Sequence, residues 1–224
     1  MLTRLRSDEG FTLIELLAAI TIGMIVLLAA FDLMDNSLAV SGQVSARTEA
    51  SQRGRGAIDQ MTRAVRSQVC VNGNAPVSSA DDDQVTFTFD LSNGSTLPKR
   101  TQLSYDPSTR SITQSTWNGS GAEPTLTFPG PPSVNTVLTD VDPEASKPIF
   151  AYWALRPGSG GTQFDPLDAA AATADPTRIA RIDIAFVAHA SGQVEKPENA
   201  STIEDSVFVR SVDPNTTSSQ VLCP

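Results

Sequence analysis

A single carboxylate lies inside the longest apolar run of the sequence. Residues 11–31 form a run of 21 residues in which Glu15 is the only charged one. An ionised side chain in an apolar environment is unfavourable unless a cation neutralises it, so Glu15 predicts an ion pair formed where water is excluded. Gly10, a small residue suited to peptidase cleavage, comes directly before the run. These residues indicate processing and charge pairing.

The apolar run is long enough to anchor the chain in a membrane. A helix rises about 1.5 Å per residue, so 21 residues cover a hydrocarbon core of about 30 Å. Arg4 and Arg6 precede the run, and the next basic residue is Arg47. The positive-inside rule therefore predicts a cytoplasmic N-terminus and an exported remainder. A secretory signal would place its cleavage site after the apolar segment, whereas Gly10 precedes it.

The sequence Gly10-Phe11-Thr12-Leu13-Ile14-Glu15 resembles the type III signal of prepilins and pseudopilins. The resemblance implies that a prepilin peptidase cuts between Gly10 and Phe11, that the Phe11 amine is N-methylated, and that the apolar segment is retained as the filament core. It also implies subunit assembly through Phe11 and Glu15, in which the carboxylate of one subunit neutralises the amine of its neighbour. The alternative is a plain signal-anchor helix with a Glu near one end, which leaves the Gly-Phe junction unexplained.

A long helix is predicted to continue past the apolar run. No proline occurs before Pro76, and apolar residues recur at three- and four-residue steps as far as Val69. We therefore predict one helix over residues 11–69 and four segments. These are a cleaved leader at 1–10, a transmembrane and filament-core helix at 11–34, its amphipathic continuation at 35–70 and an exported β-rich domain at 71–224.

The remainder of the chain alternates in the manner of β-strands. Strands are predicted near residues 85–91, 101–105, 111–117, 149–153, 178–189 and 207–212, with loops at 72–83 and 156–176. Residues 134–141 are either a short strand or a turn of helix. The expected fold is α+β: a long N-terminal helix packed on an antiparallel sheet, as in pilins. The later landmarks loosely resemble the minor subunits called W and J.

The negative charge lies in the C-terminal part. The formal charge is −9; residues 1–70 hold seven basic and seven acidic residues, whereas 71–224 hold nine and eighteen. This balance argues against a general nucleic-acid binder, which needs a basic face. Five arginines do follow one another along the predicted helix between residues 41 and 70. They are either a DNA-contacting strip, a solvated surface, or a complement to acidic faces of neighbouring subunits.

The two cysteines, Cys70 and Cys223, lie at the two edges of the predicted outer domain. A disulfide between them would persist in an oxidising compartment and would stabilise the fold by about 5 kcal/mol, because it closes a loop of about 150 residues. Two independent free thiols are the alternative.

No set of residues indicates catalysis, so we expect no enzyme and no cofactor. His189, the only histidine, has no marked partner, and Ser120 lacks the pattern of a catalytic nucleophile. The carboxylates of residues 81–83 and of Asp140 and Asp142 could bind calcium, but their spacing does not match a calcium loop, and no metal site is predicted.

The expected function is that of a minor pilin or pseudopilin in a type IV pilus or a type II secretion-like filament. The resemblance implies a place in the bacterial cytoplasmic (inner) membrane. The expected partners are other pilin or pseudopilin subunits, prepilin peptidase, an inner-membrane assembly platform and membrane lipid, and the acidic charge argues against nucleic acid. The alternative is a filament-tip adhesin or a DNA-binding receptor subunit.

Overall fold

A computed structural model describes residues 11–90, 97–159, 163–194, 196–209 and 223 of the chain. The described residues form a long helix, eight strands, a short helix and then two further strands. Their bounds are α1 Leu13–Arg66, β1 Val77–Ala80, β2 Gln84–Phe89, β3 Lys99–Asp106, β4 Ser111–Asn118, β5 Ser133–Thr139, β6 Val141–Asp142, β7 Phe150–Leu155, β8 Phe164–Leu167, α2 Ala169–Ala174, β9 Ile179–Ala188 and β10 Ser201–Phe208. Short 3-10 turns lie at Pro176–Arg178 and Pro197–Asn199.

The chain divides into two compact units, residues 1–45 and 46–224. In the first unit, residues 13–45 belong to α1 and every described side chain is exposed. In the second unit, the rest of α1 buries a stripe of small and apolar residues at three- and four-residue steps. The stripe consists of Ala46, Ala50, Gly54, Ala57, Ile58, Met61, Ala64 and Val65.

The strands of the second unit form two antiparallel sheets, where the sequence had suggested one sheet. The first is a meander in the order β1-β2-β3-β4-β5, and the second has the order β10-β9-β7-β8 with β6 paired to β9. Both sheets and α1 share one core, in which Phe87, Phe150, Phe186 and Met61 are fully buried. The predicted α+β class, with a long N-terminal helix packed on antiparallel strands, is confirmed.

Hydrogen bonds from Tyr152 connect the two sheets. The hydroxyl of Tyr152, on β7, donates to the carbonyl of Asp81 at 2.7 Å and accepts from the N–H of the same residue at 3.1 Å. Asp81 begins the turn between β1 and β2, so this contact joins the second sheet to the first. Tyr152 is itself buried at 2% exposure.

The helix α1 ends at Arg66, three residues earlier than the sequence predicted. The reason is competition from β2: the N–H of Val69 donates to Thr88 at 3.1 Å, and Ser67 accepts from Asp90 at 3.0 Å. The carbonyl of Ser67 and the N–H of Val69 therefore pair with a strand and cannot continue the helical ladder.

Two further boundaries differ from the predictions. The last strand is Ser201–Phe208, not 207–212, because Ile203 and Val207 face the core while the acidic residues between them belong to an edge strand. Part of the predicted range, residues 210–212, lies outside the described residues. The predicted loops also contain β1 at 77–80, β8 at 164–167 and the helix α2 at 169–174. Asp168 accepts from the N–H of Ala171 at 2.7 Å and so caps α2, and alanine is the best helix former.

Candidate functional site: the head of the long helix

The first residues of α1 form a reciprocal N-terminal cap. The backbone N–H and the hydroxyl of Thr12 each donate to Oε2 of Glu15 at 2.9 Å, and the N–H of Glu15 donates back to the Thr12 hydroxyl at 3.3 Å. This is the capping-box arrangement, which satisfies backbone donors that have no partner inside a helix. Sequence reasoning assigned Glu15 to pairing between subunits and missed this local role, although the Thr-x-x-Glu spacing signals it.

The cap leaves Glu15 able to accept a second partner. Both bonds from Thr12 fall on Oε2, so Oε1 takes no part in the cap. Phe11 is 88% exposed and directly precedes the capping residue. The bonds from Thr12 restrict the orientation of this carboxylate.

The helix surface that follows this cap, as far as Phe31, is apolar on every side. Leu13, Ile14, Leu28 and Phe31 each expose more than 60% of their surface. Beyond Thr12, the run holds one further hydroxyl, that of Thr21. It donates to the backbone carbonyls of the preceding turn at 2.9 and 3.0 Å, so the helix satisfies it internally. By length and composition this segment is able to cross a membrane.

The predicted processing site extends beyond the described residues. Phe11 is described, whereas Gly10 and the rest of the predicted leader lie outside them. The structure therefore describes the anchor side of the predicted junction.

The two cysteines of the sequence are joined. Cys70 and Cys223 form a disulfide with a Cα–Cα distance of 5.6 Å across a sequence separation of 153 residues. Because Cys70 follows α1 closely, the bond ties the C-terminal end of the chain to the segment that leaves the helix. The S–S pairing is that expected from the position of the cysteines in the sequence.

The arginines of α1 do not form one continuous surface. Arg53 turns inward and donates to the carbonyls of His189 at 2.9 Å and Thr139 at 3.1 Å, and its guanidinium lies 3.4 Å from Asp140. Arg66 lies 3.8 Å from Asp205 of β10, within the same subunit. Sequence reasoning treated these side chains as alike because their nonlocal partners cannot be seen in a helical pattern.

Arg47, Arg55 and Arg66 are exposed, whereas Arg53 is half-buried. Arg63 is exposed too, and it lies 3.4 Å from Asp59 one turn earlier on the same helix.

His189 is buried beside a carboxylate, an arrangement that the sequence did not reveal. Its Nε2 lies 3.0 Å from Oδ2 of Asp142, and the side chain is 5% exposed. The other oxygen of Asp142 lies 3.4 Å from Nε of Arg110. A general base must reach its substrate, so burial makes this pair a structural link between β6 and the end of β9.

The acidic clusters show no metal-binding arrangement among the described residues. No group of three or more His, Cys, Asp or Glu side chains is placed there to hold a metal ion. Asp140 and Asp142 each face an arginine instead. Partial burial of Asp83 raises the pKa of its carboxyl group, and the neighbouring negative charges of Asp82 and Asp81 raise it further.

Comparison with known proteins identifies the head of the chain. Residues 5–31 match the family model described as the prokaryotic N-terminal methylation motif. The match covers the capping box and the apolar run, and it supports a subunit of the type IV pilin and pseudopilin family, which is structural. A search of the curated proteins found no match to this sequence.

Proposed function

We propose that this protein is a minor pilin or pseudopilin, a structural subunit of a type IV pilus or a type II secretion-like filament. The observation that carries the proposal is the methylation motif at residues 5–31, placed on an apolar helix whose only charge before Asp32 is Glu15. The size of the chain, its large loops and its loose resemblance to W- and J-type subunits favour a minor subunit over a major one.

In this proposal the leader, residues 1–10, is removed by prepilin peptidase between Gly10 and Phe11. The new amine of Phe11 is then methylated. Residues 11–34 anchor the subunit once across the inner membrane, with the leader on the cytoplasmic side and the domain at 71–224 outside. The same helix later forms part of the filament core, after an inner-membrane platform has lifted the subunit out of the lipid.

Glu15 would then act twice. Before assembly it caps its own helix through Thr12, which limits the cost of a carboxylate at membrane depth. During assembly it accepts the amine of Phe11 from a neighbouring subunit, where no water competes. Removing one partner of a buried ion pair costs about 3–5 kcal/mol, so a subunit at the wrong axial offset is rejected.

The two roles of Glu15 are separable by substitution. Glu15→Gln keeps an oxygen acceptor for the cap but carries no charge. Glu15→Ala removes the acceptor and the charge. Thr12→Ala removes the side-chain part of the cap and keeps the charge of Glu15. We expect all three variants in the membrane fraction. Only Thr12→Ala should enter sheared filaments in near-normal amounts, with the two Glu15 variants reduced at least tenfold.

This experiment measures the ratio of filament to membrane protein in immunoblots of native cells. If Glu15→Gln assembled as well as the unaltered protein, charge pairing would be wrong and the carboxylate would serve only as a cap. If Thr12→Ala failed as completely as Glu15→Ala, capping would account for the whole effect.

A further inference from the structure

The four edge strands of the two sheets are protected unequally. In the described residues the first sheet ends at β1 and β5, and the second ends at β8 and β10. An unprotected edge presents unpaired backbone N–H and C=O groups to any extended chain that meets it. Proteins protect such edges by covering them, shortening them, or placing charge or proline on them.

Three of these edges are protected. The helix α2 covers β1, and the hydroxyl of Thr173 donates to the carbonyl of Ala80 at the end of that strand. The strand β8 has four residues and contains Pro166. The strand β10 carries Glu204 and Asp205, and Lys147 binds Glu204 at 3.1 Å.

The fourth edge, β5, has none of these devices along its first half. Its sequence, Ser133–Thr139, contains no charged residue and no proline, and its described pairing is with β4 alone. Residues 133–136 are all exposed, and Val134 is 62% exposed. An exposed apolar side chain on an uncharged edge strand favours pairing with another strand.

The second half of β5 is not available for pairing with another strand, because a bulge and a side chain of α1 occupy it. The pairing with β4 jumps from Thr136↔Thr113 to Leu138↔Ile112, so Val137 is a bulged residue. Beyond the bulge, Arg53 of α1 donates to the carbonyl of Thr139 at 3.1 Å. The backbone available to another strand is therefore residues 133–136.

A groove with a single charged wall residue continues from this open edge. It has a volume of about 510 Å³ and lies between α1 and residues 136–139 of β5. Its walls carry the amides of Gln52 and Gln60 and the hydroxyl of Thr136, and Gly56 contributes no side chain. The one cation of the wall, Arg53, already faces Asp140 at 3.4 Å. Small polar and uncharged side chains fit this groove, whereas an added lysine would face Arg53.

We propose that residues 133–136 of β5 pair with an extended, uncharged strand from a different subunit of the same filament. The inference rests on the proposed function. Copies of one chain along a filament axis meet through non-equivalent surfaces, so a second copy would have to offer another open edge. The other edges, β1, β8 and β10, are protected in the described residues. The strand therefore comes from a distinct pilin-type subunit and leads into the groove beside α1.

Photo-crosslinking in native membranes tests this proposal. Benzoylphenylalanine is placed singly at Val134, Asn135 and Thr136 of the full-length protein, and at Thr202, an exposed residue of β10, as the control. A paired strand predicts adducts to one peptide of another protein whose own N-terminus is a methylated phenylalanine. Val134 and Thr136 should reach partner residues two positions apart, and Asn135 the residue between them, because neighbouring side chains of a strand point to opposite faces.

Charge substitutions provide the matched test. Thr136→Lys should lower the yield of the Val134 adduct at least tenfold, whereas Thr202→Lys should leave it within twofold. An intact disulfide and unchanged protease resistance show that each variant is folded.

Other results would overturn the proposal. These are adducts between two copies of this chain, adducts to residues 91–96 or 210–222 of the same chain, and no adduct at all. The same digests report the N-terminus independently. Methylated Phe11 without the predicted adduct rejects strand pairing alone, whereas an uncleaved Met1 rejects the proposed function as well.

Discussion

Gly54 and Gly56 lie two residues apart in α1, and the structure predicts opposite effects for the same substitution at each. A Cβ atom on Gly54 would lie 2.6 Å from Cγ1 of Ile203 and 3.1 Å from the Cβ of Ala188. A Cβ atom on Gly56 would meet nothing within 4 Å. The pair therefore tests how closely α1 packs on β9 and β10.

The magnitudes follow from two contributions. Replacing glycine by alanine inside a helix stabilises it by about 0.5–1 kcal/mol, and this gain applies to both positions. Overpacking a core costs about 1–3 kcal/mol and applies to Gly54 alone, because Cγ1 of Ile203 is close to the backbone and cannot swing away. Gly56→Ala should thus stabilise the protein, and Gly54→Ala should be less stable than Gly56→Ala by about 1–3 kcal/mol.

The free energy of unfolding of both variants is measured by urea denaturation of the full-length protein in detergent micelles. Tryptophan fluorescence reports the unfolding. Ile203→Ala removes the clashing atoms, so a double-mutant cycle with Gly54→Ala should show a coupling of about 1–3 kcal/mol, and the cycle with Gly56→Ala none. Equal stabilisation by both glycine substitutions would refute the close packing of α1 on the sheet at this point.

Three further predictions concern the outer domain. Arg53→Met should destabilise it by about 1.5–3 kcal/mol because the carbonyls of His189 and Thr139 lose a charged donor, whereas Arg55→Met, on the exposed face, should change the free energy of unfolding by less than about 0.5 kcal/mol. Reduction of the Cys70–Cys223 bond should lower the free energy of unfolding by about 2–5 kcal/mol, seen as a lower urea midpoint with reductant; an unchanged midpoint would contradict this. Burial raises the pKa of Tyr152, so its stabilising contribution is complete below the ordinary tyrosine pKa of about 10 and is lost as pH rises further. Phenolate absorbance assigned with Tyr152→Phe should therefore develop only with unfolding, and titration near pH 10 in folded protein would contradict the contact.

Local patterns were sufficient for much of the fold. The absence of proline and the apolar steps gave α1, and alternation gave β2, β3, β4 and β9 within a few residues. The head motif needs only six consecutive positions, residues 10–15, so a single sequence was enough to find it. The cysteine pair was predictable because exactly two cysteines leave one intramolecular pairing.

Nonlocal contacts account for the misjudged features. Residues 201–206 were not predicted as strand, yet β10 tolerates Glu204 and Asp205 because it is an edge strand, and Arg66 of α1 lies 3.8 Å from Asp205. Arg53 could not be distinguished from Arg55 in a helical pattern, because its acceptors are 86 and 136 residues away in sequence. The pairing of His189 with Asp142 was hidden for the same reason.

Two local signals were missed: the Thr-x-x-Glu spacing of the capping box at residues 12–15, and a short-helix pattern at residues 168–174. The run from Asp168 to Ala174 combines a capping residue with successive alanines, which is the signature of a short helix.

Mass spectrometry of the N-terminal peptide from native membranes tests the central claim most directly. We predict a peptide that begins at Phe11 with a methylated amine, because the proposed filament subunit requires cleavage after Gly10 and a free amine for Glu15 of its neighbour. An intact peptide beginning at Met1, in cells whose other pilins are processed, would contradict the account. The protein would then be an exported domain held by an uncleaved signal anchor.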